Sequence, residues 1–105
     1  MYVIVFLRRG DSAGDEELHD AAHEAFIDSL IARHAILLGG PFGALLEDVD
    51  GAYVLRCGSV DAAREIASGD PLVVHRVSRA ECIEWQLVGI DVDAIEPKYQ
   101  PGPTD

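Results

Sequence analysis

The residues with chemical reach are few. His19 and His23 stand four apart, one helical turn, which is the spacing of a two-histidine zinc half-site and equally that of a base with a polar neighbour. The stretch lacks the glutamate of H-E-x-x-H, and a third ligand would have to come from elsewhere, Asp70 or His75 being the candidates. Asp70 precedes Pro71, an order that suits a helix cap followed by the first helical residue. Gly39-Gly40-Pro41-Phe42-Gly43 is turn chemistry, and its glycine amides could face a developing negative charge. His75 follows the Asp-Pro turn, within reach of a pocket or turned to solvent. Phosphate-loop, G-x-S-x-G and dinucleotide fingerprints do not occur.

The elements that must position these residues follow from periodicity. Residues 2–7, Tyr-Val-Ile-Val-Phe-Leu, read as a central strand covered on both faces. Ser12 and Asp15, at capping-box spacing, open a helix expected over residues 15–34. Leu18, Ala22, Ala25, Phe26 and Leu30 recur at helical spacing and suggest its buried side. At about 100° per residue and with Leu18 as zero, Phe26 falls at about 80°, His19 at about 100°, Leu30 at about 120° and His23 at about 140°. Both histidines therefore point at the core or along its edge, while His34 suits the helix end.

Residues 35–38 read as a short strand, 39–43 as a loop, 47–51 as an acidic turn and 52–57 as a third strand. Ser59 caps a second helix with Ala63, Ile66 and Ala67 on its inner stripe, and Gly69 stops it. A short helical turn is expected over residues 72–75, and a last strand over 80–88, with Phe42 and Trp85 in core or dimer contacts. This order, β-α-β-β-α-β, is the ferredoxin-like α+β fold: a four-stranded antiparallel sheet with both helices on one face. The first and third strands would be central, and the bare apolar face calls for a second copy, so a homodimer is expected. One domain is assigned to residues 1–88, and an arm or tail, with Pro97, Pro101 and Pro103, to 89–105.

Composition narrows the partners. The chain has 105 residues, 49% of them apolar, and a formal charge of −11 with a single lysine. Such an excess of acid repels phosphate backbones and anionic membranes. Nucleic acid and membrane partners are not expected, and no run of 18 apolar residues occurs. Cys57 and Cys82 lack C-x-x-C spacing and would flank the first strand about 10 Å apart, too far for a disulfide. They are expected buried and reduced, in a soluble cytoplasmic protein.

Several runs together, His23-Glu-Ala-Phe-Ile-Asp-Ser-Leu30, Ile36-Leu-Leu-Gly39-Gly40-Pro41, Gly69-Asp70-Pro71-Leu-Val-Val and Glu81-Cys-Ile-Glu84-Trp85, resemble the YciI-like (YCII-related) domain family. The resemblance spans roughly residues 1–88 and implies a dimeric α+β barrel. It also implies a pocket in which a first-helix histidine, here His23, meets the aspartate of the Asp-Pro step, here Asp70, as an acid/base pair. His19, Gly39, Gly40, Pro41, Phe42 and His75 would line that pocket. Most members have no assigned reaction; the fold is shared with muconolactone isomerases, and a few relatives eliminate chloride from products of chlorinated-aromatic breakdown. The implied function is that of a cofactor-free lyase or isomerase acting on a small organic acid or lactone by proton transfer beside a carbonyl. The rival is a non-catalytic dimeric module that binds a metabolite in the same pocket; a metal site at His19 and His23 is the third reading.

Overall fold

A computed structural model describes residues 1–100; residues 101–105, with Pro101 and Pro103 of the expected tail, lie outside the described residues. The chain runs β1 (Tyr2–Arg9), α1 (Glu16–Ala32), β2 (Ile36–Leu46), β3 (Val49–Arg56), α2 (Val60–Ala67), α3 (Pro71–Val74) and β4 (Ser78–Glu84). The four strands form one antiparallel sheet in the order β2-β3-β1-β4, so the first and third strands are central. This is the α+β ferredoxin-like fold.

Alternation along β1 divides the sheet into two faces. Val3, Val5 and Leu7 are buried and pack with Leu55, Tyr53, Leu30, Ala63, Ala67, Leu72 and Val77 in one core. On the other face Ile4 stands opposite Val54 and Ile83, and Phe6 opposite Ala52, with no helix over them. Ile83 and Leu38 remain 47% and 62% exposed there, a bare apolar surface flanking the buried Val54. Near its edge Arg8 pairs with Asp48 at 2.6 Å and Glu81 at 3.0 Å, which ties the acidic β2–β3 turn to both central and edge strands.

Several elements depart from expectation. The helix begins at Glu16 rather than residue 15, after a 3-10 turn over Ala13–Asp15, and neither Ser12 nor Asp15 makes a capping bond through its side chain. Ser12 acts through its backbone carbonyl, which accepts the Asp15 N–H at 2.9 Å. The buried side of α1 is rotated from the expected stripe: Leu18 is 77% exposed, and Ala22 and Ala25 face outward, whereas Phe26, Ile27 and Leu30 pack on the core. The inward arc spans about 80° to 180° on the scale above, with Leu18 at its outside. That arc contains both histidines.

The expected loop at 39–43 is strand. β2 continues to Leu46 as an edge strand, where a proline costs no ladder bond if its nitrogen faces outward. No glycine among the described residues has positive φ. β4 is Ser78–Glu84 rather than 80–88, although Trp85 N–H still donates to Tyr2 C=O at 2.9 Å. Phe42 and Trp85 are 40% and 47% exposed in the single chain, outside its core. The two cysteines are free and half-buried instead of buried; burial pushes the Cys82 thiol up, which keeps it protonated and unreactive.

α1 ends in paired bonds, His34 N–H to Ile31 C=O at 3.0 Å and Ala35 N–H to Leu30 C=O at 2.9 Å, with His34 at φ 55°. This is a Schellman closure with a side-chain-bearing residue in the left-handed position that glycine prefers. Replacing His34 with glycine removes that strain, so thermal unfolding of His34→Gly is expected to shift up by a few degrees, about 0.5–1 kcal/mol of added stability.

Candidate functional site

Asp70 organises the region between α1, α3 and β3. It is completely buried and caps α3, its Oδ1 accepting the Leu72 N–H at 3.0 Å with Pro71 as the first helical residue. An interior carboxylate requires donors, and the fold brings two more. His23 Nδ1 lies 2.8 Å from Oδ1, forty-seven residues away in the chain, and the Tyr53 hydroxyl donates to Oδ2 at 3.3 Å. Among the described residues no buried side-chain polar atom lacks a partner.

Both carboxylate oxygens thus act as acceptors, which leaves Nδ1 of His23 to donate and puts the ring's lone pair on Nε2. The His23 side chain is 21% exposed, and no hydrogen bond among the described residues takes up Nε2. An imidazole with one nitrogen anchored on a buried carboxylate and the other free at a partly open surface has the geometry of a general acid/base. Tyr53 is fixed in the donor role: burial first, and then the negative charge of Asp70, push its phenol far above the usual tyrosine range.

His19, one turn before His23, does not bond to Asp70. Its ring stacks on His75, centroids 4.0 Å apart and planes within 8° of parallel. The stack joins α1 to the residue that ends α3, so α1 meets both ends of that short helix, through His23 at Asp70 and through His19 at His75. Among the described residues no group of three or more His, Cys, Asp or Glu side chains is placed to hold a metal ion. The arrangement therefore does not gather the third ligand that a zinc half-site at His19 and His23 needs.

The glycine segment divides. Gly39 stands opposite Tyr53 in the β2–β3 register, and a Cβ built on it would lie 2.5 Å from the Tyr53 Cβ. Its lack of a side chain lets β2 close over the strand that holds the tyrosine. Gly40 stands opposite Ala52, so it belongs to the bare face of the sheet, and Pro41 stands opposite Gly51. Phe42 lies farther along the same edge strand. The structure therefore brings His23, Asp70, Tyr53 and Gly39 together, pairs His19 with His75 in a separate stack, and leaves Gly40 on the opposite side of the sheet. The notion of loop amides at 39–43 gives way to a close-packed strand, because Gly39, Gly40 and Pro41 are registered against β3.

Tyr53 was not singled out by sequence. Its one signal was a polar tip inside the otherwise apolar run Ala52-Tyr-Val-Leu55, which requires an internal partner once the strand is buried. The partner's identity depends on tertiary structure.

The fold and this cluster define a class: a ferredoxin-like α+β protein with a buried carboxylate holding a histidine on the helix-covered side of the sheet. The chain belongs to the family of the uncharacterized protein YjpA of Bacillus subtilis (strain 168), with which it is 34% identical over 87 residues, 83% of this chain and 98% of that protein. No family model matches the chain. Among solved structures it is similar to the 5-chloro-2-hydroxyhydroquinone dehydrochlorinase TftG from Burkholderia phenoliruptrix AC1100, in complex with 2,5-dihydroxybenzoquinone. The TM-score is 0.63 at 22% identity, over 82% of this chain and 94% of that one. At that identity the likeness is one of fold.

Proposed function

We propose that this chain is a YciI-like protein that works as a cofactor-free lyase or isomerase on a small organic acid or lactone, with His23 as general acid/base and Asp70 as its orienting partner. One observation carries the reading: the buried Asp70 binds His23 Nδ1 at 2.8 Å while Nε2 is left free. In that role Nε2 takes a proton from carbon beside a carbonyl, and the resulting imidazolium is stabilised by the carboxylate behind it. The same proton, returned elsewhere on the substrate, completes an isomerisation; loss of a leaving group from the adjacent carbon completes an elimination. A fold shared with a dehydrochlorinase bound to a six-membered quinone supports small cyclic acids and lactones as the first substrates to try.

The pocket would be lined by His19, one helical turn before His23, and by His75, which ends the short helix that Asp70 caps and stacks on His19. On this reading the protein is a cytoplasmic homodimer joined through the bare sheet face, a reading that its free cysteines and uncovered apolar surface support. No helix among the described residues is long and apolar enough to cross a membrane.

The test is a screen of lactones and chlorinated organic acids with wild type and His23→Ala. Turnover that falls about 10²–10⁴-fold in the variant is the expected result. A second reading, a metabolite-binding module, draws on the fact that Asp70 also has a complete structural role as the α3 cap. It gains if no compound is turned over in a His23-dependent way while ligands still displace the His23 ring resonances.

A further inference from the structure

We propose that the arm beyond β4, residues 87–100, docks on a second copy of this chain, across the sheet face that the helices leave bare. The inference rests on the homodimer reading above and assigns the arm a role in it. The chain exposes 7341 Å². A compact monomer of its 11.3 kDa would expose about 5,700 Å². The excess is about 1,600 Å² per chain and about 3,200 Å² for two, within the range of total area that an obligate dimer removes from water.

The arm carries five large exposed apolar side chains. Val88 is 105% exposed, Val92 65% and Tyr99 71%, with Ile90 and Ile95 at 52% and 44%. Nevertheless the arm has defined local structure. The Asp91 side chain accepts the Asp93 N–H at 2.9 Å to cap a 3-10 turn over Val92–Ala94, a second turn spans Pro97–Tyr99, and the Gln100 side-chain amide donates to Ile95 C=O at 2.6 Å. A segment held in shape by its own hydrogen bonds, with its large apolar side chains directed to water, is prepared for a surface that its own domain does not provide.

Position and charge point to a second copy. The arm leaves the sheet beside Tyr2, where Trp85 N–H bonds to Tyr2 C=O, and a groove lined by Met1, Tyr2, Trp85, Leu87, Val88 and Ile90 marks its root. Tyr2 shares the bare face with Ile4 and Ile83, so arm and face are continuous. Each chain carries −11, so apolar contact must outweigh the net repulsion between two copies. Arg56, opposite Tyr2 in register and without a side-chain partner among the described residues, offers countercharge for an arm that bears Asp91 and Asp93.

The experiment is sedimentation velocity over one concentration series of the full chain, of a variant ending at residue 87, and of the full-length triple variant Val92→Ser/Ile95→Ser/Tyr99→Ser. Ile83→Asp serves as the variant that disrupts the sheet face. The expected result is a dimer for the full chain, with dissociation constants raised about 100-fold by truncation and by the triple substitution. Because the three substituted side chains are exposed in the single chain, the triple variant should keep the far-ultraviolet spectrum, and it carries the test if the shortened chain does not fold. A dimer that Ile83→Asp breaks and that neither arm variant weakens would overturn the arm inference and leave the homodimer standing. A monomeric full chain would overturn both.

Discussion

Asp70→Ala is expected to lower stability by about 3–5 kcal/mol, a larger loss than any surface substitution in this chain should produce. Three losses coincide. α3 loses its cap, worth about 1 kcal/mol. The Tyr53 hydroxyl, in a residue 2% exposed, loses its acceptor and becomes an unpaired buried donor, at about 1–3 kcal/mol. His23 loses the bond that ties α1 to α3, and a small cavity opens where the carboxylate was. Asp70→Asn separates these effects. Its amide oxygen can still accept the Leu72 N–H and keep the cap, so most of the helix contribution should survive, whereas the charge that holds the His23 tautomer is gone. Urea unfolding followed by circular dichroism should rank wild type above Asp70→Asn above Asp70→Ala. Nitrogen NMR of the His23 ring should show a changed tautomer balance in the asparagine variant. Equal stability of wild type and Asp70→Ala would mean that this buried carboxylate organises nothing.

The parts of this arrangement differ in how far sequence revealed them, for physical reasons. β1 was plain because six consecutive apolar, β-branched and aromatic residues have few alternatives to a central strand. α2 and α3 were plain because Ser59 and Asp70 are capping residues followed by the right spacing, and both side chains do accept the expected backbone N–H. α1 lies where its periodicity places it but turns a different side to the core. The four alanines of the helix, Ala21, Ala22, Ala25 and Ala32, gather with Leu18 in one arc and offer a rival apolar side, yet the sheet selects the arc around Leu30, where the larger Phe26 and Ile27 also lie. β2 runs on through Gly-Gly-Pro to Leu46 because an edge position and a close partner strand override the local turn chemistry of those residues. The pairing of His23 with Asp70 came from resemblance; the two are distant in sequence and nothing local links them. Tyr53 was invisible for the same reason, its significance lying wholly in where the hydroxyl ends.

Gly39→Ala should be among the most damaging single-methyl additions available in this protein, while Gly40→Ala, one residue along, should be nearly silent. At Gly39 the new Cβ would lie 2.5 Å from the Tyr53 Cβ and 3.0 Å from its Cα. Neither atom belongs to the far end of a flexible side chain. Relief requires β2 to move off β3, or β3 to carry Tyr53 away from Asp70, and overpacking of this kind costs about 1–3 kcal/mol or more. A Cβ on Gly40 meets nothing within 4 Å. Tyr53→Phe gives the scale for losing that hydrogen bond, about 1–3 kcal/mol, because the bonds from His23 and Leu72 both fall on Oδ1 and the buried Oδ2 of Asp70 is left without its donor. If Gly39 serves to seat Tyr53, then Gly39→Ala and Tyr53→Phe should be non-additive in urea unfolding, since the alanine has already weakened the bond that phenylalanine removes. Both should shift the His23 ring resonances, and Gly40→Ala should leave them in place. Full additivity, with His23 unmoved in Gly39→Ala, would instead make Gly39 a strand-packing position with no reach into the pair.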